Sequence, residues 1–240
     1  RKTIYFITHP NVVISADVPI EQWPLSELGC DRMRACLKQQ WMSNITAIYC
    51  SSEQKAIDGA RIIGDHLDLP FQTISELGEN DRSSTGFLPA EEFERVADEF
   101  FAKPKLSVRG WERAVDAQQR IVTAVETLCS AEQSTGNIAV ISHGAVGALL
   151  YCSLMKYPIS REWDQPDNGG GNYFGFSLNP PRAYFSWRAI DVIDWLSVIT
   201  THSLGIASSK ELIRIGMGLA TNATEARFDF IRGYIEYGEA

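Results

Sequence analysis

Two short apolar segments, each followed at once by a histidine, most constrain the fold of this chain. Segment 4–8 (IYFIT) leads into His9, and segment 138–142 (IAVIS) leads into His143. Continuous apolar runs of this length, rich in β-branched and aromatic residues, are typical of strands that are buried on both faces. We therefore predict buried strands over residues 3–8 and 138–142, each ending at a histidine.

The other patterns predict strands and helices that alternate along the chain. We expect helices at about 25–40, 53–67, 89–101, 111–129 and 145–155, further strands at 47–50 and 70–75, and a hairpin over 173–178 and 183–187. Ser26, and either Ser51 or Ser52, are expected to cap the helices that follow them. This order predicts an α/β fold, a three-layer sandwich with a mostly parallel central sheet. Ligands of such sheets bind beyond the carboxyl ends of the strands, so His9 and His143 should face one cleft.

The chain after about residue 195 has a different pattern. Two amphipathic helices are expected there, at about 210–220 and 222–237. We therefore divide the chain into an α/β domain (1–195) and a helical C-terminal extension (196–240). The extension is expected to pack on the domain or against a second copy of the chain, so a homo-oligomer is one alternative.

Charge and composition exclude several classes of partner. The net charge of −8 argues against general nucleic-acid binding, which needs a basic face. No apolar run is long enough for a transmembrane helix, and no signal peptide opens the sequence, so no membrane partner is expected. The five cysteines are odd in number and form no C-x-x-C motif, which indicates free thiols in a reducing cytoplasm.

Five motifs in a fixed order give the chain a family resemblance. They are IYFITHP at 4–10, PLSELG at 24–29, IYCSSEQKAIDGARII at 48–63, ELGENDRS at 76–83 and IAVISHGAVGALL at 138–150. With these motifs the chain resembles the histidine phosphatase superfamily, which has the phosphoglycerate mutase-like fold, over roughly residues 2–195.

The resemblance implies a role for each matching residue. His9 stands where the family has the histidine that becomes phosphorylated, and His143 stands where it has the second histidine of the phosphate pocket. Glu79 matches the acidic residue that donates a proton to the leaving group. Glu76 and Asp81 remain alternative candidates for that acid.

The chain departs from the family pattern around the phosphate site. Thr8 replaces the arginine that usually precedes the nucleophile, Pro10 replaces the following glycine, and Lys55 replaces a second arginine. Arginine offers a planar fork to phosphate, whereas lysine offers a point charge and threonine only a hydroxyl. We expect Thr8 and Lys55 to contact the phosphate nonetheless, with Arg82 as a replacement cation.

These residues suit phosphoryl transfer without a metal or other cofactor. A neutral imidazole can attack phosphorus, cationic and hydrogen-bonding groups can stabilise the phosphoryl oxygens, and a carboxylic acid can protonate the leaving oxygen. The expected function is a metal-independent phosphomonoesterase that acts on a small phosphorylated substrate through a phosphohistidine at His9. A weakly active or inactive relative that binds an anionic ligand or partner is the alternative. A metal site formed by His9, His143, Glu79 and Asp81 is less favoured.

Overall fold

The computed structural model of the protein describes residues 2–193. The strands in this part of the chain are β1 (Ile4–Thr8), β2 (Ile45–Cys50), β3 (Phe71–Thr73), β4 (Asn137–Ser142), β5 (Asn172–Leu178), β6 (Pro181–Ala183) and β7 (Arg188–Ala189). The helices are α1 (Glu27–Cys36), α2 (Gln54–Leu67), α3 (Ala90–Ala102), α4 (Ala114–Ala131) and α5 (Gly144–Met155). The extension at 196–240, its two predicted helices and the homo-oligomer suggested for them lie outside the described residues.

The strands form one mixed sheet in the order β3-β2-β4-β1-β5-β6, with β7 also paired to β5. Strands β3, β2, β4 and β1 are mutually parallel, and β5 runs antiparallel to β1. Strands β6 and β7 are each antiparallel to β5. The predicted α/β architecture is confirmed, with a parallel half that contains both histidine-ending strands.

Alternate residues of the central strands pack into two separate cores. Phe6, Val140 and Phe174 lie in the core that also contains buried residues of α4 and α5. Ile7 and Ile141 lie in the other core, with buried residues of α1 and α2. Because successive side chains of a strand point to opposite faces, this division shows a sheet covered by helices on both sides.

The structure confirms the predicted N-cap of α1 and corrects the predicted N-cap of α2. Ser26 caps α1 as predicted, since its Oγ accepts a hydrogen bond from Gly29 N at 3.1 Å. The N-cap position of α2 is Glu53, with no side-chain cap, so the prediction of Ser51 or Ser52 was wrong. Ser51 is instead fully buried and turned toward His143.

The second strand of the predicted hairpin is also placed differently. Strand β6 ends at Ala183 and β7 begins at Arg188, so most of the predicted strand 183–187 is not extended sheet. Trp187 interrupts it because its ring packs against Phe174 at a centroid distance of 4.8 Å, and its indole N–H donates to Trp163 O. Tertiary packing here overrides the local strand preference.

No helix within residues 2–193 is both long and apolar enough to cross a membrane. Helix α5, which is almost entirely buried, has 12 residues. A membrane-spanning helix needs about 20.

Candidate active site

The parallel pairing of β1 with β4 brings the two strand-end histidines together. Thr8 is in register with Ser142, so His9 and His143 each stand one residue beyond a matched pair. The backbone N–H of His9 continues the ladder by donating to Ser142 O at 3.1 Å. The imidazole rings meet edge to face, with centroids 5.1 Å apart. The structure therefore places both predicted histidines at one end of the sheet.

His9 is held with one ring nitrogen turned toward the protein. Nδ1 lies 3.0 Å from Pro10 O, which can only accept, so Nδ1 carries the proton and Nε2 keeps a lone pair. Burial lowers the pKa of His9 to about 4, an effect that the Pro10 carbonyl partly opposes and that Lys55 reinforces. His9 is therefore a neutral imidazole at neutral pH, which is the form that can act as a nucleophile.

His143 is completely buried at the start of α5. Its Nε2 lies 2.7 Å from Ser51 Oγ and 3.2 Å from Glu53 Oε1. Its Nδ1 is buried and has no hydrogen-bond partner within residues 2–193. Burial holds the pKa of His143 well below its usual value, although the Glu53 carboxylate opposes this effect. A buried polar atom without a partner marks a place where a ligand can complete the hydrogen bonding.

Glu53 and Lys55 form a buried ion pair beside His143. Lys55 Nζ lies 2.5 Å from Glu53 Oε2 and donates to Ile20 O at 2.8 Å. Burial alone would raise the pKa of Glu53, but His143 and Lys55 outweigh it and lower this pKa to about 2. The ammonium predicted to bind phosphate thus already has a carboxylate partner. Glu53 was not among the predicted site residues, because in the sequence it is an ordinary polar residue at the start of a helix.

Glu79 is the candidate acid that the structure brings to the histidines. Its carboxylate accepts from Ala145 N at 3.2 Å and Val146 N at 3.1 Å, both in the first turn of α5 after His143. Glu76 and Asp81 are exposed and make local contacts with Ser75 and Ser83 N. Neither of the two alternatives has a comparable contact with the segment that carries His143.

Arg120 fixes the loop that carries Glu79. Its guanidinium donates to the carbonyl oxygens of Glu76, Gly78 and Glu79 at distances of 2.7–3.1 Å. It also forms an ion pair with Glu112, in which Nη2 of Arg120 lies 2.8 Å from Oε2 of Glu112. No local pattern predicts this arrangement, because Arg120 lies within α4, more than 40 residues from the loop.

The guanidinium of Arg82 lies over two aromatic rings. Its guanidinium carbon is 5.1 Å from the Phe93 centroid and 5.7 Å from the Trp111 centroid. The Arg82 charge lowers the pKa of both His9 and His143, although it is the smallest of the named causes for each. The predicted replacement cation is therefore electrostatically coupled to both histidines.

Thr8 is turned away from solvent and bound within the protein. Its side chain is fully buried, and its Oγ1 donates to Gln165 Oε1 at 2.7 Å. The same hydroxyl accepts from Asn172 N at 2.9 Å. Phosphate contact by Thr8 stays a prediction. Sequence analysis did not single out Gln165, which lies 157 residues away in a polar loop.

Asp164 is a further titratable group next to this cluster. Burial, together with the charges of Glu79 and Glu94, raises its pKa to about 6, against the opposing effect of Gln165 N–H. A carboxyl group with such a pKa is half protonated at pH 6 and is still protonated in about a tenth of molecules at pH 7. Its electrostatic coupling to Glu79 makes Asp164 a second acidic group of the site.

The metal alternative finds no support in the arrangement of side chains. No group of three or more His, Cys, Asp or Glu side chains in the described part of the chain is placed to hold a metal ion. Glu79 is engaged by backbone N–H groups, and Nε2 of His143 by Ser51 and Glu53.

Comparison with known families and structures gives a consistent result. The sequence matches the profile of the histidine phosphatase superfamily (branch 1) over residues 8–177, well over half of the chain. The matched segment includes His9, Glu79 and His143. No curated protein matches the chain in a sequence comparison.

Several solved structures share the fold. A mycobacterial glucosyl-3-phosphoglycerate phosphatase, solved with inorganic phosphate, aligns with a TM-score of 0.66 at 18% identity and covers 80% of this chain and 100% of its own. YhfR of Bacillus stearothermophilus aligns with a TM-score of 0.63 at 22% identity, over 77% of this chain and 95% of its own. A phosphoserine phosphatase from Entamoeba histolytica, in complex with 3-phosphoglyceric acid, aligns with a TM-score of 0.62 at 15% identity, over 80% of this chain and 100% of its own.

Proposed function

Because the chain belongs to the histidine phosphatase superfamily, we propose that it hydrolyses a small phosphomonoester through a phosphohistidine at His9. The observation that carries the proposal is the pair of strand-end imidazoles 5.1 Å apart. One ring has a free Nε2 lone pair, and the other has a buried Nδ1 without a partner in residues 2–193. A nucleophile and a hydrogen-bonding group for one phosphoryl group are thus adjacent.

In the proposed first step, Nε2 of His9 attacks phosphorus while the bond to the ester oxygen breaks. The electron pair of that bond passes to the leaving oxygen, which takes a proton from an acid, for which we propose Glu79. The Pro10 carbonyl, 3.0 Å from Nδ1, stabilises the positive charge that develops on the ring. In the second step, water attacks phosphorus and gives a proton to the Glu79 carboxylate. The N–P bond breaks with its electron pair returning to Nε2, so phosphate and neutral His9 are released and the acid is restored.

The phosphoryl oxygens need donors, because their charge is spread over three equatorial atoms in the transition state. We assign Lys55, Arg82 and His143 to this role. His143 Nε2 faces the Glu53 carboxylate and holds the proton of the neutral ring, so Nδ1 donates only when the ring takes up a second proton, a form that the phosphoryl charge and Glu53 stabilise. Lys55 contributes less than a free ammonium would, since Glu53 Oε2 lies 2.5 Å from its Nζ. Weak activity is therefore part of the proposal.

A binding protein without turnover is the second candidate function. The observation that favours it is the Glu53–Lys55 pair, because a buried carboxylate next to His143 opposes the entry of a dianion. Such a protein would hold an anionic ligand of lower charge at the same strand ends. His9 would then contact the ligand without forming a covalent bond.

The deciding experiment is phosphate release from a panel of phosphomonoesters, with a chelator present. We compare wild type with His9→Ala and, as a matched control, with His66→Ala, which alters an exposed histidine on α2. Release that persists with chelator and in His66→Ala but is lost in His9→Ala supports the proposal. If wild type releases no phosphate from any ester yet binds inorganic phosphate, the second function is favoured.

A further inference from the structure

We propose that the side-chain amide of Gln165 donates a hydrogen bond to the phosphoryl group of the substrate. This inference rests on the proposed function, since it concerns the same site. It assigns a substrate-binding role to a residue outside the predicted set.

Two donors fix the orientation of the Gln165 amide. Thr8 Oγ1 donates to Oε1 at 2.7 Å, and Asn172 Nδ2 donates to the same oxygen at 3.0 Å. Both donors belong to the ends of neighbouring strands, β1 and β5. The oxygen is therefore turned toward the sheet, and the NH₂ group is turned away from these partners. Within residues 2–193 that NH₂ group has no hydrogen-bond acceptor.

The nitrogen lies next to the first residue of α5. At Gly144, the residue after His143, a Cβ atom would come within 2.4 Å of Gln165 Nε2. A larger side chain at residue 144 would displace the amide from this place. Through Thr8, the residue before His9, the amide is also anchored to the end of β1. The Gln165 nitrogen is thus next to the strand ends that carry both histidines.

A phosphoryl group bound at this site needs a hydrogen-bond donor besides the histidines and Lys55. Burial keeps His9 and His143 neutral at neutral pH, and the Lys55 ammonium is paired with Glu53. A phosphoryl group at these strand ends would therefore have few unengaged N–H groups to bind. A primary amide supplies two, and its partial burial strengthens a hydrogen bond to an anion.

The rival explanation is that Gln165 only supports Thr8 and Asn172 from within the protein. Gln165→Glu separates the two roles because the substitution has the same shape and keeps an oxygen acceptor for both partners. It replaces the NH₂ donor with a carboxylate oxygen. If Gln165 only supports Thr8 and Asn172, the affinity for phosphate should not change in this variant. If Gln165 binds phosphate, the new carboxylate should repel the anion and the affinity should fall.

The test is calorimetric titration of the full-length protein with inorganic phosphate. We expect Gln165→Ala to weaken binding about tenfold, as loss of one hydrogen bond to a charged group does, and Gln165→Glu to weaken it further. Gln119→Glu, on the exposed face of α4, is the charge-matched control and should bind as wild type does. Circular dichroism checks that each variant is folded.

Phosphate binding that is unchanged in Gln165→Glu overturns the inference and leaves the proposed function intact. If Gln165→Glu does not fold, unchanged binding in Gln165→Ala overturns it equally. If the wild-type protein neither binds phosphate nor releases it from an ester, the proposed function fails and this inference fails with it. An affinity for phosphate that falls from wild type to Gln165→Ala, and further to Gln165→Glu, supports the inference.

Discussion

Oε1 of Glu53 lies 3.2 Å from Nε2 of His143, so a buried carboxylate stands beside a histidine of the proposed phosphate site. The same residue supports the site in another way, because Oε1 accepts from Glu79 N at 2.9 Å. Glu53 therefore links His143, Lys55 and the loop that carries the proposed acid. Its charge, however, opposes an incoming phosphate.

Glu53→Gln should tighten the binding of inorganic phosphate. The amide keeps an acceptor for Glu79 N but removes one negative charge, and it frees the Lys55 ammonium to face the anion. We expect affinity to rise by at least about tenfold, because charges a few ångströms apart interact by several kcal/mol at the effective dielectric of a protein site and tenfold corresponds to about 1.4 kcal/mol. Isothermal titration with phosphate checks this, and weaker binding than in wild type would contradict it.

Lys55→Met should strongly destabilise the fold, because it leaves the Glu53 carboxylate buried without its partner. Breaking a buried ion pair in this way costs about 3–5 kcal/mol of unfolding free energy. The double variant Lys55→Met, Glu53→Gln should recover most of the loss. Urea unfolding measures both. Lys103→Met, which breaks an exposed pair with Glu99, is the control and should cost under about 1 kcal/mol.

Arg82→Ala should lower the affinity for inorganic phosphate by about tenfold while leaving the fold intact. The guanidinium rests on Phe93 and Trp111, which stay packed together with ring centroids 6.0 Å apart. Arg95→Ala, on the exposed side of α3, is the matched control for charge loss. Equal affinities of Arg82→Ala and wild type would remove Arg82 from the site.

Asp164→Asn should stabilise the protein at pH 7, and the gain should shrink as the pH falls toward 4.5. The folded-state pKa of Asp164 is raised to about 6 from 3.8, so the folded state binds more protons across this window. The stability contributed by the protonated form is present below the unfolded pKa and is lost as the pH rises through 6. The gain at pH 7 should be on the order of 2 kcal/mol.

Urea unfolding at the two pH values measures this difference. Asp167→Asn, a change at an exposed neighbouring carboxylate, is the control. A stabilisation by Asp164→Asn that is the same at pH 7 and pH 4.5 would show that Asp164 does not titrate as its burial implies.

The sequence could predict the two histidines at the strand ends because their signal is local. An apolar run identifies a buried strand, the next residue is a histidine, and parallel strands end at the same edge of a sheet. The order of elements was equally readable, since the hydrophobic periodicity of each helix lies within about 15 residues. Predictions of this kind need no knowledge of neighbours that are distant along the chain.

The residues that set the electrostatics of the site could not be predicted from the local sequence, because their partners are distant along the chain. Ser51 and His143 are 92 residues apart, and Thr8 and Gln165 are 157 residues apart. Nothing near Ser51 distinguishes a helix cap from a partner of a buried imidazole. Glu53 is a polar residue at a helix start, and Gln165 is a polar residue in a loop. Only the folded chain shows that Glu53 neutralises Lys55 and that Gln165 contacts Thr8.

The register between β1 and β4 also makes the two histidines difficult to vary separately. Deleting one residue from either strand would move its histidine by about 3.3 Å and turn every following side chain to the opposite face. A single deletion would thus turn the side chains of that strand toward the opposite core and move the imidazole rings of His9 and His143 apart. The two strands can therefore be exchanged, or transplanted into a designed sheet, only as a matched pair.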